Sequence, residues 1–317
     1  MSRAFPRYRD LPIGPLGVRS AWGLWGEGES LGRAALLDDE VTRAAATLVR
    51  TGRRFPLDLP VGTIDPPLFA RGAAQHTVIE PRPGRGLDDF VDNWFPQASS
   101  QWDALGHVAA HTDAFYNGAT RDEVVVGHRN TIDHWARHGI VTRGVLLDVA
   151  DVVTERGGPG ESVPVTVEDL ERARAATGLE LRSGDILMVH TGFVAWHVEQ
   201  PAARREAITT SETLTAVGIA QSEEMAEYLW DSGVFGVASD APGLECWPPD
   251  RSDEAFPFGF MHRTLIGLFG MAIGELWDLR ALVADCRADG VWEAMVASAP
   301  INLVGGIGSA ANAVAVK

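Results

Sequence analysis

The sequence predicts a mixed α/β fold, and two observations predict it. Apolar runs of strand length occur at 144–147, 186–189 and 234–238, and polar groups follow each of them. Segments of helical composition, 166–176 and 222–232, separate these runs. Alternation of this kind points to buried strands packed under helices.

Residues 1–35 are rich in Gly, Pro and Trp with little periodicity, and are expected to form an irregular arm. Trp22 and Trp25 in that arm are candidates to cover an aromatic ligand or a neighbouring subunit. In 38–52, Val41, Ala44, Ala45 and Leu48 fall at helical spacing, with Gly52 placed as a stop. Phe55 to Pro60 reads as a short strand and turn. A helix over 130–138 ends at Gly139, and Thr166 with Glu168 and Asp169 forms an N-cap followed by acids. Asp148, His190, Thr191 and Asp240 stand at strand ends, where α/β proteins gather ligands and where loop caps also occur. With no linker and no internal repeat, 36–317 is expected to be one domain behind the arm.

The chain has 317 residues, with 43 acidic against 27 basic and a net charge of −16. Nucleic-acid binders show the opposite balance, so that class is set aside. Such a charge also repels anions at long range, so an anionic ligand would need local arginine or metal charge. Two cysteines, Cys246 and Cys286, exclude a four-thiolate zinc site and read as reduced thiols. No apolar segment follows Met1–Arg7, and no run reaches the roughly 18 residues of a membrane helix. The expectation is a cytoplasmic protein without membrane partners.

The densest group of ligand-capable residues is Gln97-Ala-Ser-Ser-Gln101-Trp-Asp103-Ala-Leu-Gly-His107. Asp103 offers an anionic oxygen, Gln97 and Gln101 amide carbonyls, and His107 an imidazole. On a helix Asp103 and His107 would share a face. Taken alone, the stretch is better explained as a carboxylate orienting an imidazole than as a metal site. Trp102, Tyr116, Asn117 and Asp240 are candidate pocket residues, with core placement the competing reading for the aromatics. His111 is expected to support or lie outside the site, and His134 and His138 to close a helix. His190 fits a core hydrogen bond or a pocket equally. Gly305-Gly306-Ile-Gly308 lacks both the dinucleotide-binding spacing and the P-loop lysine, so it reads as a turn. No Gly-x-Ser-x-Gly elbow occurs.

The string Gln97-x3-Gln101-x-Asp103-Ala-x2-His107 resembles the signature of the cyclase superfamily, which includes kynurenine formamidases. The likeness is to the long branch containing trans-dienelactone hydrolase. Further landmarks follow in family order: 115–118, 138–149, 184–192, 239–245, 261–265, 270–279 and 300–309. The resemblance implies a swivelling β/β/α-type single domain with a mixed sheet and peripheral helices. It matches Asp103 to a metal-binding aspartate and His107 to a catalytic histidine. It also places His262 and Glu275 at later metal ligands. Gln97 and Gln101 stand where formamidases have histidines. That exchange weakens a zinc site and favours one divalent ion, Mn²⁺ or Zn²⁺, over two.

The implied chemistry is hydrolysis of a small cyclic ester or amide: a lactone, lactam or aryl formamide. His107 would be the general acid and base, and Glu275 a base if unligated. Homo-oligomers, dimer or tetramer, are implied too. The alternatives are a non-hydrolytic cyclase or dehydratase on the same scaffold, and an inactive ligand-binding protein permitted by the two glutamines.

Overall fold

The computed structural model describes residues 5–317 as a single mixed α/β domain built on one sheet of nine strands. From edge to edge these are Arg54–Pro56, Ala313–Val316, Glu293–Ser298, Ile140–Asp148, Ile186–His190, Gly236–Ser239, Ala272–Glu275, Gln101–Asp103 and Gly308–Ala310. The four strands from Ile140–Asp148 to Ala272–Glu275 run parallel, and the neighbours on both flanks are antiparallel. The three apolar runs read from sequence are the first three of these parallel strands, buried on both faces as parallel strands must be.

Two of the expected helices form at Val167–Thr177 and Glu223–Asp231. Thr166 caps the first with a complete capping box, its side chain accepting from the Asp169 amide. The helix expected over 38–52 is shorter, Asp39–Ala46. Asp38 caps its start, and the chain leaves helix geometry before the amides of Thr51 and Gly52 donate to the Lys317 carbonyl. Gly52 is therefore a turn residue rather than a helix stop. A hairpin of Gln75–Arg82 and Gly86–Asp92, unanticipated from sequence, is exposed along its whole length.

The arm folds onto its own chain. Phe5 stacks on Trp230 at 4.8 Å between ring centres. The buried Arg33 guanidinium lies over both rings, at 4.8 and 4.7 Å. Trp22 donates its indole N–H to the Gly267 carbonyl at 2.8 Å. The expected cover over a ligand is thus corrected: Trp22 lies beside Gly118 and Gly267, Trp25 lies near Phe5 and Trp230, and neither lines the cavity described below.

Strand alternation decides which side chains of the Gln101 strand face the core. Trp102 points to one face, fully buried, with ring centres 4.9 Å from Trp277 and 5.8 Å from Phe235. Burial of each such ring contributes roughly 1.5–3 kcal/mol. Gln101 and Asp103 must then point to the opposite face. The helical face expected for Asp103 and His107 does not form, because Gln101–Asp103 is hydrogen-bonded to strands on both sides.

Candidate metal centre

Two strands and one helix bring the centre together. In the antiparallel ladder Glu275 lies directly opposite Gln101, so Gln101, Asp103 and Glu275 share a face. His262 immediately precedes a π-helix, Arg263–Leu268, a rare winding that recurs at functional sites. Gly267 lets that helix close on the loop after His107: a Cβ there would stand 2.5 Å from the Ala110 nitrogen. Ligand atoms of Asp103, His262 and Glu275 consequently lie within 4.8 Å of one another, and all three residues are buried.

His262 Nε2 is 3.2 Å from Glu275 Oε1 and 3.7 Å from Asp103 Oδ2. Its Nδ1 pairs with Glu245 Oε2 at 2.7 Å, which turns Nε2 inward. Glu245 is itself placed by close backbone contact, since a Cβ on Gly218 would lie 2.1 Å from the Glu245 carbonyl carbon. His107 Nε2 faces Asp103 Oδ1 at 3.7 Å.

The oxygens are poorly satisfied. Both Asp103 carboxylate oxygens, Glu275 Oε1, Glu245 Oε1 and Gln101 Oε1 are buried without a hydrogen-bond donor. Gln101 donates its Nε2 to Glu275 Oε2, leaving its carbonyl as the orphan. Buried polar atoms normally find partners, and the four orphaned oxygens on Asp103, Glu275 and Gln101, on the Nε2 side of His262, are what a cation site needs. Two carboxylates, one imidazole and an amide carbonyl form a donor set suited to Mn²⁺ or Zn²⁺. These residues therefore fit a divalent ion.

The protonation pattern agrees. Burial opposes a charge on His262, but Glu245, Asp103 and Glu275 outweigh it and raise its pKa well above the usual value. The imidazolium stands where a cation belongs. Burial and Asp103 push Glu275 up to about 7, against the pull of His262. Burial also raises Asp103, yet His107 and His262 prevail and hold it below the ordinary carboxylate range. Burial lowers the pKa of His107 despite Asp103, so its ring is neutral at pH 7 and free to accept a proton.

His262 and Glu275 of the centre, with His107 and His111, line a cavity of about 600 Å³. Other candidates lie elsewhere. Trp102 faces the opposite core, because neighbouring strand residues alternate. Tyr116 is buried with its hydroxyl 3.3 Å from Glu29 Oε2, and Asn117 ties down the arm by bonds to Gly23, Gly26 and Glu29. Asp240 accepts from the Thr191 and Gly192 amides. None of these four lines the cavity. The Gln97 side chain lies beside Gly308, where a Cβ would meet its Nε2 at 2.3 Å, and its backbone carbonyl accepts from Arg71. Glu245, Arg71 and Phe260 went unassigned in the sequence. Glu245 falls within the 239–245 landmark, but nothing in its neighbours signals a hydrogen bond to a distant histidine.

The Cyclase family model matches residues 57–246. A crystal structure described as a novel cyclase superposes with a TM-score of 0.81 at 30% identity, covering 94% of this chain and 99% of that one. Isatin hydrolase A from Labrenzia aggregata, bound to benzyl benzoate, superposes with a TM-score of 0.60 at 14% identity, covering 87% and 96%. Isatin hydrolase A from Ralstonia solanacearum gives 0.60 at 17%, covering 84% and 92%. No curated protein matches.

Proposed function

This chain belongs to the cyclase family, and from that membership we propose that it is a metal-dependent hydrolase of small cyclic esters or amides. The observation that carries the reading is the convergence of Asp103, His262 and Glu275 around unpaired oxygens at a cavity wall. Those three residues, with the Gln101 carbonyl, would hold one Mn²⁺ or Zn²⁺. A divalent ion there supplies Lewis acidity, polarising a carbonyl and acidifying water.

The chain's own groups do the rest. Neutral His107, with Nε2 turned toward Asp103, takes a proton from the attacking water and returns it to the departing oxygen or nitrogen. Glu245 keeps His262 in the tautomer that presents Nε2. Isatin is a cyclic amide, and the shared fold of the isatin hydrolases fits the same bond class. Gln97, away from the wall, is best read as support for the loop, which leaves one ion rather than two. A cytoplasmic homo-oligomer remains part of this proposal, and no helix among the described residues is long and apolar enough to cross a membrane.

The test is acid release from a panel of lactones, lactams and aryl formamides, with metal content measured in the same preparation. Chelation is expected to abolish turnover and added Mn²⁺ or Zn²⁺ to restore it. His107→Ala should lower kcat by about 10²–10⁴-fold with metal content unchanged, the range for general acid–base catalysis. Full activity in that variant, or negligible metal with full activity, would overturn the assignment.

A further inference from the structure

The cavity wall that runs out from His262 of the metal centre carries a continuous stack of charge and aromatic rings. Arg71 lies over the Phe69 ring at 5.0 Å, and Phe69 meets Trp247 edge-on at 4.9 Å. Arg251 lies over both Trp247 and Phe260, at 5.1 and 4.6 Å. Phe260 in turn stacks on His262, at 5.0 Å and 19°. All six residues line the one cavity. Among the described residues neither arginine joins an ion pair. Arg71 is held by the Gln97 carbonyl and stands near enough to Glu275 and Asp103 for their charges to act on it.

The backbone beneath Arg71 is strained. Phe69 and Ala70 both adopt left-handed conformations, at φ of 60° and 55°. For residues with a side chain this costs roughly 1–2 kcal/mol each. The Ala70 amide, donating to the Thr209 carbonyl at 2.8 Å, pins the turn. Strain retained in a segment that presents an unpaired guanidinium to a cavity is a sign of function. The whole molecule carries a charge of −16, so a cationic patch here runs against its general repulsion of anions.

We infer that this wall is an anion subsite: the substrate is a planar, conjugated carboxylate whose π-body lies along Trp247 and Phe260 and whose carboxylate engages the fork of Arg71. Arg251, exposed at the mouth, draws the anion in, and Asp253 is the acid opposing it on that rim. The inference rests on the hydrolase reading only in taking this cavity as the substrate site. It makes Arg71 a specificity residue that acts on a part of the substrate other than the reacting bond. Bidentate geometry makes lysine a poor replacement.

Calorimetry with benzoate and benzamide on the full-length protein, both metal-loaded and after chelation, tests this. Benzoate should bind at least 10-fold more tightly than benzamide in both preparations. Arg71→Met should erase that preference in both, Arg71→Lys should retain part of it, and circular dichroism should show each variant folded. Arg251→Leu should weaken benzoate several-fold while keeping its preference over benzamide. The subsite is refuted if benzoate has no advantage, if Arg71→Met keeps it, or if chelation alone removes it, since the carboxylate would then be reading the metal. Absence of hydrolysis alongside Arg71-dependent benzoate binding would sink the hydrolase reading and leave the subsite standing.

Discussion

Two buried histidines stand among carboxylates in this molecule, and they differ in one respect. His190 ends its strand directly opposite Asp148, with Nδ1 at 2.8 Å from Asp148 Oδ1 and Nε2 at 4.0 Å from Asp240 Oδ2. The second oxygen of Asp148 is taken by Arg287 at 2.6 Å. Asp240 accepts from the Thr191 amide and hydroxyl and the Gly192 amide. Every carboxylate oxygen in that cluster has a partner. Around His262, Asp103 lacks a donor on either oxygen, and Glu245 and Glu275 each lack one on Oε1. A carboxylate cluster that closes on itself holds strands together, whereas one left open awaits a cation. Residue types alone would not separate the two.

The difference is sharpest under loss of a ligand. Asp103→Asn is expected to weaken metal binding by more than about 100-fold, beyond what loss of an outer partner costs. Asp148→Asn should leave it unchanged. Metal content after dialysis distinguishes these results, and equal losses in both variants would erase the contrast. Next in size, Glu245→Gln should cost about 10–100-fold in metal affinity with the fold retained, because it loosens only the orientation of His262.

The closed cluster should answer in stability instead. His190→Ala is expected to lower unfolding free energy by about 1–3 kcal/mol, the cost of leaving a buried partner unpaired, with metal content unaltered. Urea unfolding measures it. Burial disfavours the charged His190 ring, but the Asp148 hydrogen bond and the charges of Asp240 and Asp148 overcome this and raise its pKa. A raised histidine pKa stabilises the protein fully below about 6.5, the unfolded value, and that contribution fades as pH rises through the folded value. Unfolding curves on either side of that window should show the smallest effect, a slope present in the parent and absent in His190→Ala. An identical slope in both would assign the titration to another group.

Much of the fold was legible because long signals survive local context. The runs at 144–147, 186–189 and 234–238 are apolar enough to be strands in any arrangement, and Thr166 carries its cap in adjacent residues. Of the candidate centre, Asp103, His262 and Glu275 were named through family landmarks, and the structure brings all three together. Trp102 was misplaced because a three-residue strand is too short to display its alternation. Asn117 was misread as a pocket residue because its left-handed turn serves the arm rather than the cavity. Arg71 left no trace, since its meaning lies in rings of residues 69, 247 and 260 that meet only after folding.

By itself the sequence determined the alternation of strands and helices, the anionic bulk charge and the residue types able to grip a divalent ion. Those are properties of composition and of neighbours along the chain. Only the tertiary structure decided which carboxylates close on partners and which stay open, and which arginines face a cavity without joining an ion pair. Hydrogen-bond satisfaction is settled between segments, here separated by 159 residues between Asp103 and His262, and no local pattern records it.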